Sequence, residues 1–170
     1  LYGTYVYPLK NDDGSWRIPI STTIRNDTFD NTEVKVIHHI VDKANRECAV
    51  YEVSGNVPAR QKTELSVEGN LVSPELWDID SPTLYTLFTE ICRNGEVGDT
   101  YRTEFGFRTV RFDADTGFWL NGRQVKIKGV CAHQDFGLTG IAVPDNIYEQ
   151  NIRLLKEMGA NGYRTSHYPH

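Results

Sequence analysis

The sequence predicts a mainly β protein, in which an immunoglobulin-like antiparallel β-sandwich over residues 1–109 is followed by the start of an α/β domain over residues 110–170. Two observations predict this division. Short segments of alternating apolar residues, separated by turn residues, continue to about Thr109 without a helical pattern. The later residues instead follow the order strand, loop, helix, strand, which is typical of a βαβ unit.

About seven segments in the first part have the composition of strands. They cover residues 4–7, 16–25, 33–42, 48–54, 61–67, 83–93 and 99–108, with Gly, Asn and Asp between them. In the third segment, Val34, Val36 and His38 share one face, whereas Ile37 and His39 lie on the other. Both faces are therefore partly apolar, as in a two-layer sandwich. The two adjacent histidines point to opposite faces, so we expect structural roles for them rather than shared metal binding.

A hairpin and a short strand open the second part. Asn121-Gly122 stands between apolar residues, which is the strongest local signal for a two-residue hairpin turn. Residues 126–131 then form a short apolar strand, and a glycine-containing loop follows it.

A helix is predicted over residues 146–158. Asp145 or Asn146 is its expected N-cap, and Gly159 its expected C-terminal stop. The next strand covers residues 162–165. A single βαβ unit cannot bury both faces of a parallel sheet, so we interpret residues 110–170 as the opening of a larger domain. We expect only the first part to fold alone. The exposed apolar surface and strand edges of the second part predict that it is disordered, folds back on the sandwich or pairs with a second copy to give a homo-oligomer.

The composition excludes several classes of partner. The formal net charge of -5 and the lack of a Lys/Arg-dense block argue against nucleic acid and anionic membranes. The 3 cysteines, Cys48, Cys92 and Cys131, fit neither a disulfide framework nor a Cys-x-x-Cys metal site. We expect small buried side chains there, although the sequence does not decide whether one pair forms a disulfide. No cofactor is indicated, and periplasmic or secreted and cytoplasmic locations both remain open.

Polar residues follow both predicted strands of the second part. His133 and Asp135 come after the first strand, Arg164 ends the second, and His167 comes after it. Chemistry in α/β barrels occurs at the carboxyl ends of the strands, so these are the candidate site residues. His167 and His170 with His133 and Asp135 could also form a metal ligand set, but the spacing matches no helical ligand pair, and a metal site is not favoured.

Five groups of motifs carry a family resemblance. They are Trp77 with Pro82-Thr83-Leu84-Tyr85; Phe105-Gly106-Phe107-Arg108; Phe118-Trp119-Leu120-Asn121-Gly122; Lys128-Gly129-Val130 with His133-Gln134-Asp135; and Lys156-Glu157-Met158-Gly159-Ala160-Asn161 running into Arg164-Thr165-Ser166-His167-Tyr168-Pro169. In this order, the motifs resemble glycoside hydrolase family 2, the β-galactosidase and β-glucuronidase group.

The resemblance implies a sandwich followed by a (β/α)8 barrel, of which strand 1, helix 1 and strand 2 are present. It also implies a retaining, exo-acting enzyme whose two catalytic glutamates, the nucleophile and the acid/base, stand on later barrel strands. Neither glutamate lies in these 170 residues. The segment alone is therefore expected to contain no catalytic residue and to be inactive.

The candidate residues receive supporting roles from the same resemblance. Arg164 corresponds to the family arginine beside the nucleophile, and His133 and His167 to histidines that bind sugar hydroxyls. Asp135 either binds a hydroxyl or orients His133. For Trp77 we favour packing at the end of the sandwich over stacking against a sugar ring.

The expected substrate is a terminal β-galactoside, because the loop over residues 137–145 resembles β-galactosidases more than glucuronidases. A β-glucuronidase or a β-mannosidase remains an alternative. From another class, a non-catalytic immunoglobulin-like module that binds glycans or proteins also remains open.

Overall fold

The computed structural model describes residues 3–133 and 136–166, and the chain divides into two compact units, Leu1–Thr109 and Val110–His170. Within the described residues, no helix is long and apolar enough to cross a membrane.

The first unit is an antiparallel β-sandwich. Its described strands are β1 (Gly3–Val6), β2 (Leu9–Lys10), β3 (Trp16–Arg25), β4 (Thr32–Val41), β5 (Glu47–Val57), β6 (Lys62–Leu71), β7 (Tyr85–Arg93) and β8 (Glu96–Phe105). In one sheet β3 pairs with β1, β2 and β6, and the other sheet has the order β5-β4-β7-β8. The predicted sandwich is confirmed, and β2 is a short strand that the sequence did not predict.

The main core of the sandwich is aromatic at its centre. Phe107 is fully buried and makes edge-to-face contacts with Trp16 and Tyr85, at centroid distances of 5.4 and 4.9 Å. Such contacts add to the stabilisation that comes from burying the rings. The other buried members of this cluster are Ile18, Ile20, Ile40, Leu87 and Phe105.

A row of buried polar side chains, which we call the polar belt, separates the main core of the sandwich from a second apolar cluster. On β3, Thr22 stands between Ile20 of the main core and Ile24 of the second cluster, and all three side chains point inward. His38 on β4 and Thr89 on β7 complete the belt, and both are buried. The predicted alternation across β4 is thus confirmed, with His38 inside the sandwich and His39 on the outer face.

The second unit combines a small antiparallel sheet with a βαβ unit. Its described elements are β9 (Val110–Asp113), β10 (Gly117–Leu120), β11 (Arg123–Gln124), β12 (Gly129–Ala132), α1 (Asp145–Glu157) and β13 (Gly162–Thr165). β10 pairs with β9 and β11, and β12 pairs with β13 in parallel. Asn121 and Gly122 have φ values of 51° and 78°, which confirms the predicted hairpin turn. β9 adds a strand that was not predicted.

The two ends of α1 differ in how well the sequence predicted them. The predicted N-cap is wrong: Pro144 is the N-cap, no side chain caps the helix, and Asp145 already lies in its first turn. Proline is compatible with this position because the first amides of a helix have no partner within it. The predicted stop is confirmed. Gly159 has φ 84°, its amide bonds to Lys156 O, and the next amide bonds to Leu155 O, as in a Schellman motif.

The cysteines do not occupy the predicted environment. All three thiols are free; Cys48 and Cys131 are exposed, and Cys92 is partly buried. Cys48 is exposed because it points outward from β5, whereas the alternate residues Ala49 and Tyr51 pack toward the core. Cys131 lies on the open face of β12. The prediction of small buried side chains is therefore wrong for Cys48 and Cys131.

Candidate functional site

The candidate site lies at the carboxyl ends of β12 and β13. The parallel register pairs Cys131 with Arg164 and Ala132 with Thr165. Beyond the last pair, the amide of Ser166 donates to Ala132 O at 3.0 Å, so the ladder continues past β13. His133 follows β12 directly, as Ser166 follows β13, so both residues lie at the same edge of the strand pair. This is the edge at which barrel enzymes carry their chemistry.

Asn161 fixes the register of these strands. Its Oδ1 accepts the amide of Lys128 at 2.7 Å, and its Nδ2 donates to Lys126 O at 3.0 Å. These side-chain bonds also explain why β12 begins at Gly129 rather than at the predicted residue 126, since they occupy backbone groups that a ladder would use. The sequence indicated Asn161 only as part of a motif and did not predict that it bridges the two strands.

Arg164 presents most of its donors to the open face of the strands. It is exposed, and the described residues offer its side chain one hydrogen-bond partner, Cys131 Sγ, at 3.6 Å from Nη1. A guanidinium has five N–H groups in a planar fork, so four remain for another ligand. Such a fork matches the two oxygens of a carboxylate. The arrangement is therefore suited to holding a carboxylate at this edge.

The remaining candidate residues are only partly described. His133 is exposed at the end of β12. Asp135 and His167, and His170 of the metal alternative, lie outside the described residues. In the ranges 3–133 and 136–166, no group of three His, Cys, Asp or Glu side chains is arranged to hold a metal ion.

The loop after β12 is attached to the helix. Phe136 contacts Tyr148 of α1 edge to face, with 5.4 Å between the ring centroids. The amide of Phe136 also donates to Gly140 O at 3.0 Å, which closes a turn. The ring contact thus attaches the loop to α1 at Phe136.

Trp77 is engaged in packing within the sandwich unit. Its amide donates to Phe107 O at 2.8 Å, and the Arg108 guanidinium lies 4.9 Å from the centre of its ring. A Cβ at Gly106 would come within 3.0 Å of Trp77 Cβ, so only glycine allows this approach without a shift. These contacts support the packing interpretation of Trp77 over the sugar-stacking alternative.

Cys131 was missed as a member of the site because a cysteine in an apolar strand resembles a core residue. Its position could have revealed it. Cys131 precedes His133 by two residues and therefore shares its face of the strand. In a parallel pair with Gly129 opposite Gly162, the same face of the neighbouring strand carries Arg164.

Two family models match this chain. One is described as Glycosyl hydrolases family 2 and covers residues 1–108, and the other as Glycosyl hydrolases family 2, TIM barrel domain, and covers residues 113–170.

Curated relatives include enzymes with two different names. A β-galactosidase of Bacteroides ovatus is 42% identical over 168 residues, which cover 99% of this chain and 20% of that protein. A β-glucuronidase of Formosa agariphila is 30% identical over 167 residues, or 97% of this chain and 17% of that protein. The chain therefore spans about a fifth of the length of the first relative and slightly less of the second.

Solved structures give the same result for the fold. A glycosyl hydrolase family 2 member of Bacteroides cellulosilyticus matches with a TM-score of 0.90 at 33% identity, over 98% of this chain and 23% of that one. β-Glucuronidase 2 of Bacteroides uniformis, covalently bound to cyclophellitol-6-carboxylate aziridine, matches with a TM-score of 0.90 at 29% identity, over 98% of this chain and 20% of that one.

Proposed function

The chain belongs to glycosyl hydrolases family 2, and from this premise we propose that the protein containing it is a retaining, exo-acting β-glycosidase that removes terminal β-galactosyl groups from oligosaccharides or glycans. The observation that carries the proposal is the 42% identity, over 99% of the chain, with the β-galactosidase of B. ovatus.

Arg164 supplies the electrostatic part of this function. We propose that two of its four remaining N–H groups bind the carboxylate of a nucleophilic glutamate contributed by a later barrel strand. A guanidinium in contact with the glutamate favours the ionised carboxylate. A bidentate contact also fixes the direction in which the carboxylate attacks the anomeric carbon. Retention then requires a second carboxyl group, the acid/base, roughly 5 to 5.5 Å from the first.

His133 supplies hydrogen bonds to the sugar. An imidazole has one donor and one acceptor nitrogen when neutral, so it can engage a hydroxyl in either direction. We propose that His133 and His167 bind hydroxyls of the terminal sugar, and that Asp135 binds a hydroxyl or orients His133. Contacts to hydroxyls that tighten in the transition state accelerate glycoside hydrolysis.

Further βα repeats would complete the barrel around this unit. Among the described residues of α1, none is buried, and Ile152 and Leu154 are exposed, as is Met158 directly after the helix. We propose that this apolar surface and the free edges of β12 and β13 pack against those repeats. A polypeptide of these 170 residues alone would then have no nucleophile and would hydrolyse no glycoside.

A β-glucuronidase is the second candidate, because the F. agariphila relative and the B. uniformis structure carry that name. The two substrates differ chemically at C5: a glucuronide carries a carboxylate there, whereas a galactoside carries a neutral hydroxymethyl group. A glucuronidase therefore needs an additional cationic or hydrogen-bonding group for that carboxylate.

The test compares 4-nitrophenyl β-galactoside, β-glucuronide and β-mannoside as substrates of the complete protein. We expect the highest kcat/KM for the galactoside and release of the β-anomer first, observed by NMR. A preference for the glucuronide would replace the galactosidase proposal by the second candidate. If none of the three substrates were hydrolysed, a non-catalytic glycan- or protein-binding module would become the better explanation.

A further inference from the structure

Cys131 and Arg164 form a side-chain pair on the open face of β12 and β13. They lie opposite each other in the parallel register, and Arg164 Nη1 donates to Cys131 Sγ at 3.6 Å. The preceding pair on this face is Gly129 with Gly162, which contributes no side chain. Within the described part of the chain, Cys131 is therefore the residue of β12 that reaches the guanidinium.

An exposed arginine needs such a contact if it is to present its fork in one direction. Its side chain has several rotatable bonds, and fixing them costs rotamer entropy. The register held by Asn161 fixes where the two side chains start, but not where the guanidinium points. A sulfur acceptor is weak, so it can hold one N–H without competing with a carboxylate for the other four.

We propose that Cys131 is a positioning residue for Arg164. Its Sγ holds the guanidinium in the orientation in which the nucleophile carboxylate is bound. The inference rests on the proposed function, because it takes the partner of Arg164 to be that carboxylate. It goes beyond the proposed function in assigning a role to a thiol that touches neither the sugar nor the nucleophile.

The experiment uses the complete protein with Cys131→Ala and Cys131→Ser. Loss of one net hydrogen bond should lower kcat about fivefold in the alanine variant. KM should change by less than about twofold, because the contact does not involve substrate. The acid limb of the kcat/KM profile should move to higher pH, since a loosely held guanidinium stabilises the ionised nucleophile less. Serine, whose oxygen also accepts a hydrogen bond, should restore most of the activity.

A double-mutant cycle separates positioning from general packing. If Cys131 acts through Arg164, then Cys131→Ala should have little further effect on kcat in an Arg164→Lys background. Equal effects in both backgrounds would overturn the inference. Cys48→Ala, on the outer face of the sandwich, is the matched control and should leave kcat and the pH profile unchanged.

The outcomes also separate the inference from the function on which it rests. A wild-type protein without activity on any β-glycoside would remove both. An active wild type whose Cys131→Ala variant keeps its kcat and pH profile would remove only the positioning role. If the alanine variant loses its thermal transition, Cys131→Val, which also lacks a hydrogen-bond acceptor, takes its place in the same cycle: unequal effects in the two backgrounds support the role, and equal effects overturn it.

Discussion

His38 is a buried side chain whose neutral state the fold requires. Its Nδ1 is 3.0 Å from Thr89 Oγ1, and its Nε2 has no hydrogen-bond partner among the described residues. An imidazolium would carry N–H groups at both nitrogens, and only one of them has an acceptor here. Burial first, and the neighbouring charge of His39 second, lower the pKa of His38 from 6.5 to about 4.

The first prediction concerns the stability of the sandwich as the pH is lowered. Because the pKa of His38 is lower in the folded state than in the unfolded chain, the unfolded state binds the proton more tightly. The contribution of His38 to the free energy of unfolding is thus fully present above pH 6.5 and is lost progressively as the pH falls to about 4. The expected loss is about 3 kcal/mol in the free energy of unfolding. Urea unfolding at several pH values across this window measures it.

Matched variants of the two adjacent histidines check the assignment. His38→Gln has a hydrogen-bonding side chain without a titration in this range, so its free energy of unfolding should vary much less across the window. His39 points outward and pairs with Glu47; His39→Gln removes its charge but leaves His38 buried, and burial is the larger cause of the lowered pKa, so this variant should keep most of the wild-type slope. Hydrogen bonds from Thr116 lower the pKa of Asp113 to about 2. The stability that this carboxylate contributes is therefore lost only below the window of His38, as the pH falls through about 2. An unchanged slope in His38→Gln would contradict the prediction.

The second prediction concerns Arg164. In the complete protein, Arg164→Ala should lower kcat by roughly 100-fold or more, because a preorganised charged donor is lost. Arg164→Lys should fall between alanine and wild type, since an ammonium keeps the charge but lacks the planar fork. Steady-state kinetics on the preferred substrate measure both. Arg153, which forms an exposed pair with Glu149 on α1, gives the control: Arg153→Lys should retain wild-type kcat.

At the level of strands and helices, local patterns were sufficient where one short-range signal dominates. The boundaries of β3 and β13 agree with the prediction, and so does the Asn121-Gly122 turn, because alternation and turn chemistry are properties of neighbouring residues. The start of β12 was mispredicted because Asn161, more than thirty residues away, binds the backbone there. A contact at that distance in sequence leaves no local pattern.

In the candidate site, too, features with a local sequence pattern were predicted, and a contact between distant residues was not. The parallel strand pair brings Arg164 to the edge that the βαβ pattern predicted, and His133 follows the neighbouring strand at that edge. The thiol beside Arg164 was not predicted, because an exposed cysteine and a buried one have the same sequence signal. Only the register of two strands distinguishes them.

The third prediction tests Asn161 as the anchor of the β12–β13 pair. In the complete protein, Asn161→Ala removes two hydrogen bonds to the backbone of residues 126–128 and should destabilise the strand pair by about 1 to 2 kcal/mol. The Lys128 amide, which bonds to Asn161 Oδ1, should exchange with solvent faster. Hydrogen exchange measured by mass spectrometry on peptides that contain Lys128 reports this. Gln150→Ala on the exposed face of α1 is the control, and equal exchange in both variants would contradict the anchoring role.

The distribution of buried apolar side chains determines which part of the chain can fold alone. Both apolar clusters belong to the sandwich unit, and they contain its largest buried rings. In the other unit, α1 has no buried residue among those described, and Ile127, Leu154 and Met158 are at least half exposed, at 54%, 50% and 80%. Surfaces of this kind promote association rather than stability when they stay uncovered.

The fourth prediction follows from this asymmetry. A polypeptide of residues 1–109 should unfold cooperatively in urea, with a single transition in the fluorescence of Trp16 and Trp77 and in far-UV circular dichroism, because it contains both apolar clusters. Residues 110–170 alone should show no cooperative transition. The 170-residue polypeptide should self-associate at micromolar concentration, as measured by sedimentation, whereas residues 1–109 should stay monomeric, since the exposed apolar side chains of α1 are absent. A monomeric 170-residue chain, with a second cooperative transition and protected amides in α1, would mean that the βαβ unit is stable without further repeats.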